Sequence, residues 1–315
     1  MKSSNTQGKI MIRFYGRLGN QLFQYSFARA LQEKFYPDYK IVLNFCEYSN
    51  GLESNYLQGF NIQNCDIVNI PFRNCLNKSQ FFVQCIWHVL ARYCQKFSII
   101  PSAKFDTRFT RHLMNPLGVY EPLCHSDYIE PLLSRSKNIL CAGFFESHKY
   151  FDDIRDSLLK EFTPTNDKIL PHNEQLFYDI TNSESVCVSI RRGDFLGSNI
   201  YDVCNEEYFI TAMKSIREKI PVCKFFIFSD DVQDVKKIFH FPFSVEYEEG
   251  GDPVWEKLRL MYNCRHFIIS NSTFSWWAQY LSKNPNKIVY APKPWRRSDD
   301  CLGIYTPQMN IIRVS

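Results

Sequence analysis

The sequence predicts an α/β protein built from two doubly wound, Rossmann-like domains that face a cleft. Three observations lead there. Short apolar runs of strand length alternate with amphipathic stretches of helix length along most of the chain. A polar segment carrying two prolines, Thr163–Pro171, interrupts that alternation near the middle. With 315 residues there is room for two cores of ordinary size. The boundary falls in the polar segment, giving domains of residues 1–165 and 166–315.

The first domain opens with a strand over Lys9–Tyr15, the turn Gly16-Arg17-Leu18-Gly19-Asn20, and a helix over Leu22–Phe35. Phe23, Phe27, Ala30 and Leu31 recur there at helical spacing. A second strand, Lys40–Phe45, follows Pro37-Asp38. This β-α-β start implies parallel pairing with a right-handed crossover. Residues 46–135 read as an irregular insertion with one amphipathic helical stretch at Phe81–Tyr93. A strand over Asn138–Phe145 and a helix over Asp152–Glu161 complete the domain.

The second domain alternates more strictly. The strand Val186–Ile190 precedes a helix over Tyr208–Ile220, where Phe209, Met213, Ile216 and Ile220 share one face. Next come the strand Lys224–Phe228, a short helix, a helix over Val254–Asn263 and the strand His266–Ser270. The helix Thr273–Leu281 and the strand Lys287–Ala291 close the series. Four strands with helices between them make a doubly wound domain. No repeat of solenoid period is present.

Composition narrows the function classes. An apolar fraction of 45%, with 27 Phe and 18 Tyr, describes a packed globular protein. A net charge of +4 permits an anionic substrate or an acidic membrane surface, but lacks the dense basic patch of a nucleic-acid binder. The 12 cysteines include no C-x-x-C pair, and the polar start MKSSNTQGKI carries no apolar secretory core. Reduced thiols in the cytoplasm are therefore expected, with Cys141 and Cys187 on buried strands. No apolar run is long enough to span a bilayer. Aromatics interleaved with Lys and Arg between Phe81 and Arg111 allow peripheral contact with the inner face of the cytoplasmic membrane. Packing of a helical insertion is the alternative for the same residues.

Chemistry concentrates where strands end. The run VCVSIRRGDF places Arg191, Arg192 and Asp194 after a buried strand, at the sheet edge where open α/β folds bind ligands. Two guanidiniums there suit a diphosphate that leaves as an anion; a solvated charge cluster is the plainer alternative. In Ser270-Asn271-Ser272-Thr273-Phe274-Ser275 an apolar strand meets a helix start, an anion site to which Ser272, Thr273 and Ser275 could add hydroxyl donors. N-capping would explain part of that composition equally well. Phe228-Ser229-Asp230-Asp231 is a third strand end on the same edge. Its paired carboxylates could hold a divalent metal or, through Asp231, cap a helix. In the first domain Gly16, Gly19 and Asn20 form a glycine turn that is not the G-x-G-x-x-G dinucleotide fingerprint, which argues against a dehydrogenase. Gly143-Phe144-Phe145-Glu146-Ser147-His148 ends the last strand there, with Glu146 and His148 as possible acceptor contacts or bases.

Taken together these segments resemble glycosyltransferase family 11, the α1,2-fucosyltransferases found mainly in bacteria. The resemblance rests on GRLGNQLFQYSFARAL, GFFESHKYFDDIRDSLLKEF, SIRRGDF, FSDD and the closing run WEKLRLMYNCRHFIISNSTFSWWAQYLSKNPNKIVYAPKPW. It implies a GT-B type fold, a GDP-fucose donor, inversion at the anomeric carbon, and no obligatory metal or cofactor. The absence of a D-x-D triplet agrees with the last point. By position, Arg191 would neutralise the β-phosphate with Arg192 and Asp194 completing its motif. The Ser272–Ser275 turn and Asn271 would hold the pyrophosphate, Asp230 would line the donor site, and Gly19 and Asn20 would lie near the reacting sugar. Transfer to O2 of a terminal galactose is implied, on an oligosaccharide or lipid-linked glycan of O-antigen or capsule type. Two positions depart from the family pattern: Ser189 stands where a histidine is usual, and Lys257 where an aspartate is favoured. In related fucosyltransferases these positions help read the guanine, so Glu256 becomes a candidate substitute, since a carboxylate accepts from N1–H and the amino group. A different sugar nucleotide would account for the departures too, and a non-catalytic nucleotide- or glycan-binding homologue is the reading from another class.

Overall fold

The structure, a computed structural model, describes residues 7–48, 54–96, 109–122, 128–297 and 302–314. The chain forms two units. One runs through Phe162 and takes in Leu302–Ile304; the other holds the remainder.

Unit 1 is built on a five-stranded parallel sheet. Its elements in order are β1 (Lys9–Arg13), α1 (Leu18–Phe35), β2 (Lys40–Asn44), β3 (Cys65–Val68), α2 (Lys78–Lys96), β4 (Val119–Tyr120), β5 (Asn138–Ala142) and α3 (Arg155–Glu161). The strand order is β3-β2-β1-β5-β4. The region expected to be an irregular insertion therefore supplies both edge strands and a helix to this sheet. Helix α2 starts three residues before the expected Phe81, because Asn77 and Gln80 exchange side-chain-to-backbone hydrogen bonds of 3.1 and 3.0 Å as a capping box. Its Val83 and Trp87 are buried with Met11, Val42 and Leu140 of the sheet.

Helix α1 begins at Leu18, four residues earlier than expected, so Gly19 and Asn20 lie inside its first turn rather than ahead of it. The two glycines read as a breaker, but burial outweighs that local cost: Leu18, Leu22, Phe23, Phe27 and Leu31 are all buried. Phe27 stacks on Phe145 at 3.8 Å. Glu161 accepts from Tyr25 and Arg29, each at 2.8 Å, fixing α1 against α3.

Unit 2 contains α4 (Glu174–Thr181), β6 (Ser185–Ile190), α5 (Glu206–Lys219), β7 (Lys224–Ser229), α6 (Val232–Ile238), β8 (Val245–Tyr247), α7 (Val254–Tyr262), β9 (His266–Ile269), α8 (Thr273–Leu281), β10 (Val289–Lys293) and β11 (Met309–Arg313). All six strands are parallel, in the order β11-β10-β9-β6-β7-β8. Six strands stand where four were expected. The additional two are the sheet edges, which are short and half polar and so lack the continuous apolar run of a central strand. The core joins Val186, Val188 and Ile190 of β6 to Phe209, Met213 and Ile216 of α5. Buried Tyr208 donates to the carbonyls of Ile269 at 2.6 Å and Tyr290 at 3.2 Å, tying α5 to β9 and β10. Nine cysteines among the described residues are free thiols, with Cys141 and Cys187 fully buried on β5 and β6.

Unit 2 reverses its winding once, between β6 and β9; in unit 1 the chain steps out from β1 to β3, crosses to the far edge at β4 and returns to set β5 beside β1. A crevice opens beyond the carboxyl ends of the strands at such a reversal, and it is the usual ligand position in open α/β sheets. The glycine turn follows β1 and the GFFES segment follows β5. The arginine motif follows β6 and the serine-rich turn follows β9. The fold thus places the four motifs at the carboxyl ends of two pairs of adjacent strands, β1 with β5 and β6 with β9.

Candidate active site

In unit 2 the two flanks of the crevice are physically joined. The Ser189 hydroxyl, near the end of β6, lies 2.7 Å from that of Ser275 in the first turn of α8. The Ser275 hydroxyl is also 3.2 Å from that of Ser270 at the end of β9. All three serines are buried, and their hydroxyls link the ends of β6 and β9 to the start of α8. The arginine motif and the helix start share one edge of one sheet.

Arg191 is held by two carboxylates. One guanidinium nitrogen pairs with Asp194, the other lies 3.0 Å from Oδ2 of Asp230, and the group sits 5.1 Å from the Phe195 ring centre. Arg192 turns elsewhere. Its Nε donates to Asp234 of α6 at 2.6 Å, its charge lies 5.6 Å from the Phe239 ring centre, and only its backbone N–H reaches Asp230, at 2.8 Å. Successive side chains at a strand end point opposite ways, so the sequence pair becomes one positioned cation and one structural ion pair.

Asp230 is the centre of this arrangement, receiving Arg191 on one oxygen and the Arg192 backbone on the other. Gly193 permits it: a Cβ there would lie 2.3 Å from Oδ2 of Asp230. Asp231 caps α6, accepting from the Asp234 N–H at 3.0 Å. Among the described residues no group of three or more His, Cys, Asp or Glu is arranged to hold a metal ion.

Asn271 is a clamp. Its amide donates to the carbonyls of Tyr201 and Trp295, each at 3.0 Å, and its oxygen accepts from the Cys204 thiol at 3.5 Å. Burial pushes the Cys204 thiol up to about 12, so it remains a protonated donor at neutral pH. Ser272 is the N-cap of α8 with an extended backbone, and its side chain makes no capping bond. The first-turn amides of a helix lack intrahelical acceptors, and Thr273 is the first helical residue here.

The expectation that Glu256 reads the base is corrected. Glu256 is fully buried, with one oxygen accepting from the Leu170 N–H at 2.9 Å and the other from Nε of Arg259 at 2.8 Å. Arg259 donates onward to the carbonyls of Asn166 at 2.6 Å and Lys168 at 2.5 Å. Both oxygens are occupied in binding the 166–170 segment to α7. Lys257, by contrast, reaches the crevice edge, donating to the carbonyl of Ser229 at 2.8 Å and pairing with buried Glu248 at 2.9 Å.

In unit 1, Gly16 has φ of 69°, and a Cβ there would strike the Asn20 amide at 2.2 Å. That glycine lets Asn20 fold back over the turn. Gln21 donates to Tyr48 at 3.0 Å and to the carbonyl of Ser54 at 2.7 Å, while Gln24 accepts from the Tyr15 N–H at 3.2 Å. Across the crevice Phe145 takes a left-handed φ of 52°, a strained state for an aromatic residue, held by its stacking on Phe27. Glu146 follows it and is buried. His148 is nearly buried and its Nδ1 faces the Asp152 carboxylate.

Sequence reasoning missed Gly193 as a packing requirement, Asp230 as the arginine holder, and Gln21 and Gln24 as tethers. The signal for the glutamines was available: two amides set among Leu18, Leu22, Phe23 and Phe27, which mark the buried part of the helix, need internal partners.

Residues 120–302 match the sequence model of Glycosyl transferase family 11. An alpha-1,2-colitosyltransferase of Escherichia coli is 28% identical over 297 residues, spanning 91% of this chain and 92% of its own length. A galactoside 2-alpha-L-fucosyltransferase of Caenorhabditis elegans is 28% identical over 199 residues, 58% of this chain and 52% of its own. The crystal structure of the fucosyltransferase NodZ from Bradyrhizobium superposes with a TM-score of 0.51 at 14% identity, covering 87% of this chain and 93% of that one. At that identity the likeness is one of fold, the GT-B type with two Rossmann-like units.

Proposed function

From the premise that this chain belongs to glycosyl transferase family 11, we propose that it transfers L-fucose from GDP-fucose to a hydroxyl of an oligosaccharide, O2 of a terminal galactose, with inversion at the anomeric carbon. The observation that carries this reading is the Arg191 guanidinium, fixed by Asp194 and Asp230 on the same sheet edge as the start of α8. The acceptor oxygen attacks the anomeric carbon from the face opposite the nucleotide while the bond to the β-phosphate breaks. Negative charge grows on the departing diphosphate. A cation already held in place, together with oriented amides at a helix start, stabilises that charge without reorganising. Asp194 acts by orienting Arg191. Unit 1 is read as the acceptor side, with Asn20, Glu146 and His148 as its candidate acceptor residues.

A second donor reading has its own support. The colitosyltransferase relative spans nearly the whole chain, and Ser189 and Lys257 replace the residues expected to read guanine. The same phosphate site would then serve another sugar nucleotide. The setting that fits either donor is synthesis of a surface glycan from the cytoplasm, with a free or lipid-linked acceptor.

Thermal-shift titration with GDP, UDP and dTDP decides the nucleotide, since a ligand that binds only the folded state raises the melting point. GDP should give the largest shift. Arg191→Ala should retain the fold and lose roughly a hundredfold or more in turnover, the usual effect of removing a donor to a developing anion. Turnover near that of the wild type would remove Arg191 from the mechanism.

A further inference from the structure

Helix α2 of unit 1 carries a face that the transfer chemistry does not use. Gln80, Val83, Gln84 and Trp87 point inward and are buried. On the opposite side Phe82, Ile86, Val89 and Tyr93 follow at intervals of four, three and four residues, which places them in one stripe. Phe82 is 69% exposed, Val89 67% and Tyr93 57%. Lys78, Arg92 and Lys96 are exposed along the same helix, which contains no Asp or Glu. Glu121, just after β4, is engaged by Gln84 and His88 of this helix at 2.7 and 2.9 Å. The basic and aromatic stretch singled out in the sequence continues into residues 97–108, which lie outside the described residues.

We propose that this face of α2 docks unit 1 onto an anionic lipid surface. The helix lies in the plane of the interface, with the four apolar side chains among the lipid headgroups and the cations on the phosphates. Charge selects this occupant over a second copy of the chain. Two copies meeting through the stripe would bring the like charges of Lys78 and Arg92 of both together, four in all, with no carboxylate on either helix. An anionic bilayer supplies counter-charge continuously, at roughly fivefold in partitioning per cation near the surface. The inward face of α2 belongs to the core of unit 1, so docking asks for no rearrangement of the fold. No described helix is long and apolar enough to cross a membrane, which fits contact from one side.

Co-sedimentation of the full chain with equimolar phosphatidylcholine–phosphatidylglycerol vesicles tests the proposal, with phosphatidylcholine vesicles as the neutral comparison. Binding should require the anionic lipid and weaken at high salt. Lys78→Gln with Arg92→Gln, which leaves the apolar face intact, should cut it by about 25-fold, two cations at roughly fivefold each. Phe82→Ser with Val89→Ser should cut it at least as far, with an unchanged melting point and unchanged activity on a soluble acceptor. Wild-type pelleting by the charge variant would overturn the proposal. So would equal binding to neutral vesicles, or a solution dimer broken by these substitutions without vesicle affinity.

Discussion

Replacing Gly193 by alanine isolates the support of the proposed catalytic cation. The new Cβ would sit 2.3 Å from Oδ2 of Asp230, where ordinary contact begins at 3.4 Å. The carboxylate must therefore retreat by about 1 Å, which carries the 3.0 Å contact with Arg191 beyond hydrogen-bond range. A displacement of about 1 Å in a catalytic group costs on the order of a hundredfold in rate, near 2.7 kcal/mol of barrier. Stability should change far less. Arg191 retains Asp194, a partner more than half exposed, and partly exposed ion pairs contribute about 0–1 kcal/mol. Initial rates with GDP-fucose and a galactose-terminated acceptor, read beside thermal melting, separate the two effects. In an Asp230→Ala background the glycine substitution should add little, because the atom it strikes is gone. Unimpaired turnover in the single variant, or full additivity in the double one, would refute the reasoning.

Glu256→Gln should lower the melting point sharply without a selective rise in donor KM, since breaking a buried pair by removing one partner costs about 3–5 kcal/mol. A stable variant with weakened nucleotide binding would return Glu256 to base recognition. Ser275→Ala should destabilise by about 1–3 kcal/mol in equilibrium denaturation, because it strips buried Ser189 and Ser270 of their shared partner. His266 gives a pH signature. Burial holds its pKa below the usual 6.5, Glu184 opposes that, and the neutral Nδ1 accepts from the Ile288 N–H at 3.1 Å. The unfolded chain thus takes up a proton more readily than the native one. The stability this residue provides is complete above the ordinary histidine range and is lost as pH falls through 6.5 toward the lower native value. His266→Asn, which keeps an acceptor, should flatten the melting curve over that interval relative to wild type; parallel curves would discard the linkage.

Central elements were legible in the sequence because their patterns are continuous. Val186–Ile190 and His266–Ile269 are fully buried strands, and α8 runs over the expected Thr273–Leu281. The edges were not legible: Val245–Tyr247 is three half-buried residues, and Val119–Tyr120 is only two. Strands this short owe their existence to the neighbour they pair with, and no local pattern records that. At the site, the positions of Arg191 and Asp194 followed from strand-end logic, whereas the divergence of Arg192 depended on Asp234 and Phe239, more than 40 residues away. Glu256 misled because one sequence cannot distinguish a carboxylate offered to a ligand from one enclosed by Arg259.

The Glu256–Arg259 knot reaches back to the carbonyls of Asn166 and Lys168 and the amide of Leu170. The proline-flanked stretch that looks most like dispensable tether is therefore welded to unit 2. A fragment of that unit cut to begin at Pro171 would strand a guanidinium and a carboxylate without the peptide groups that solvate them. A viable cut lies upstream of Asn166.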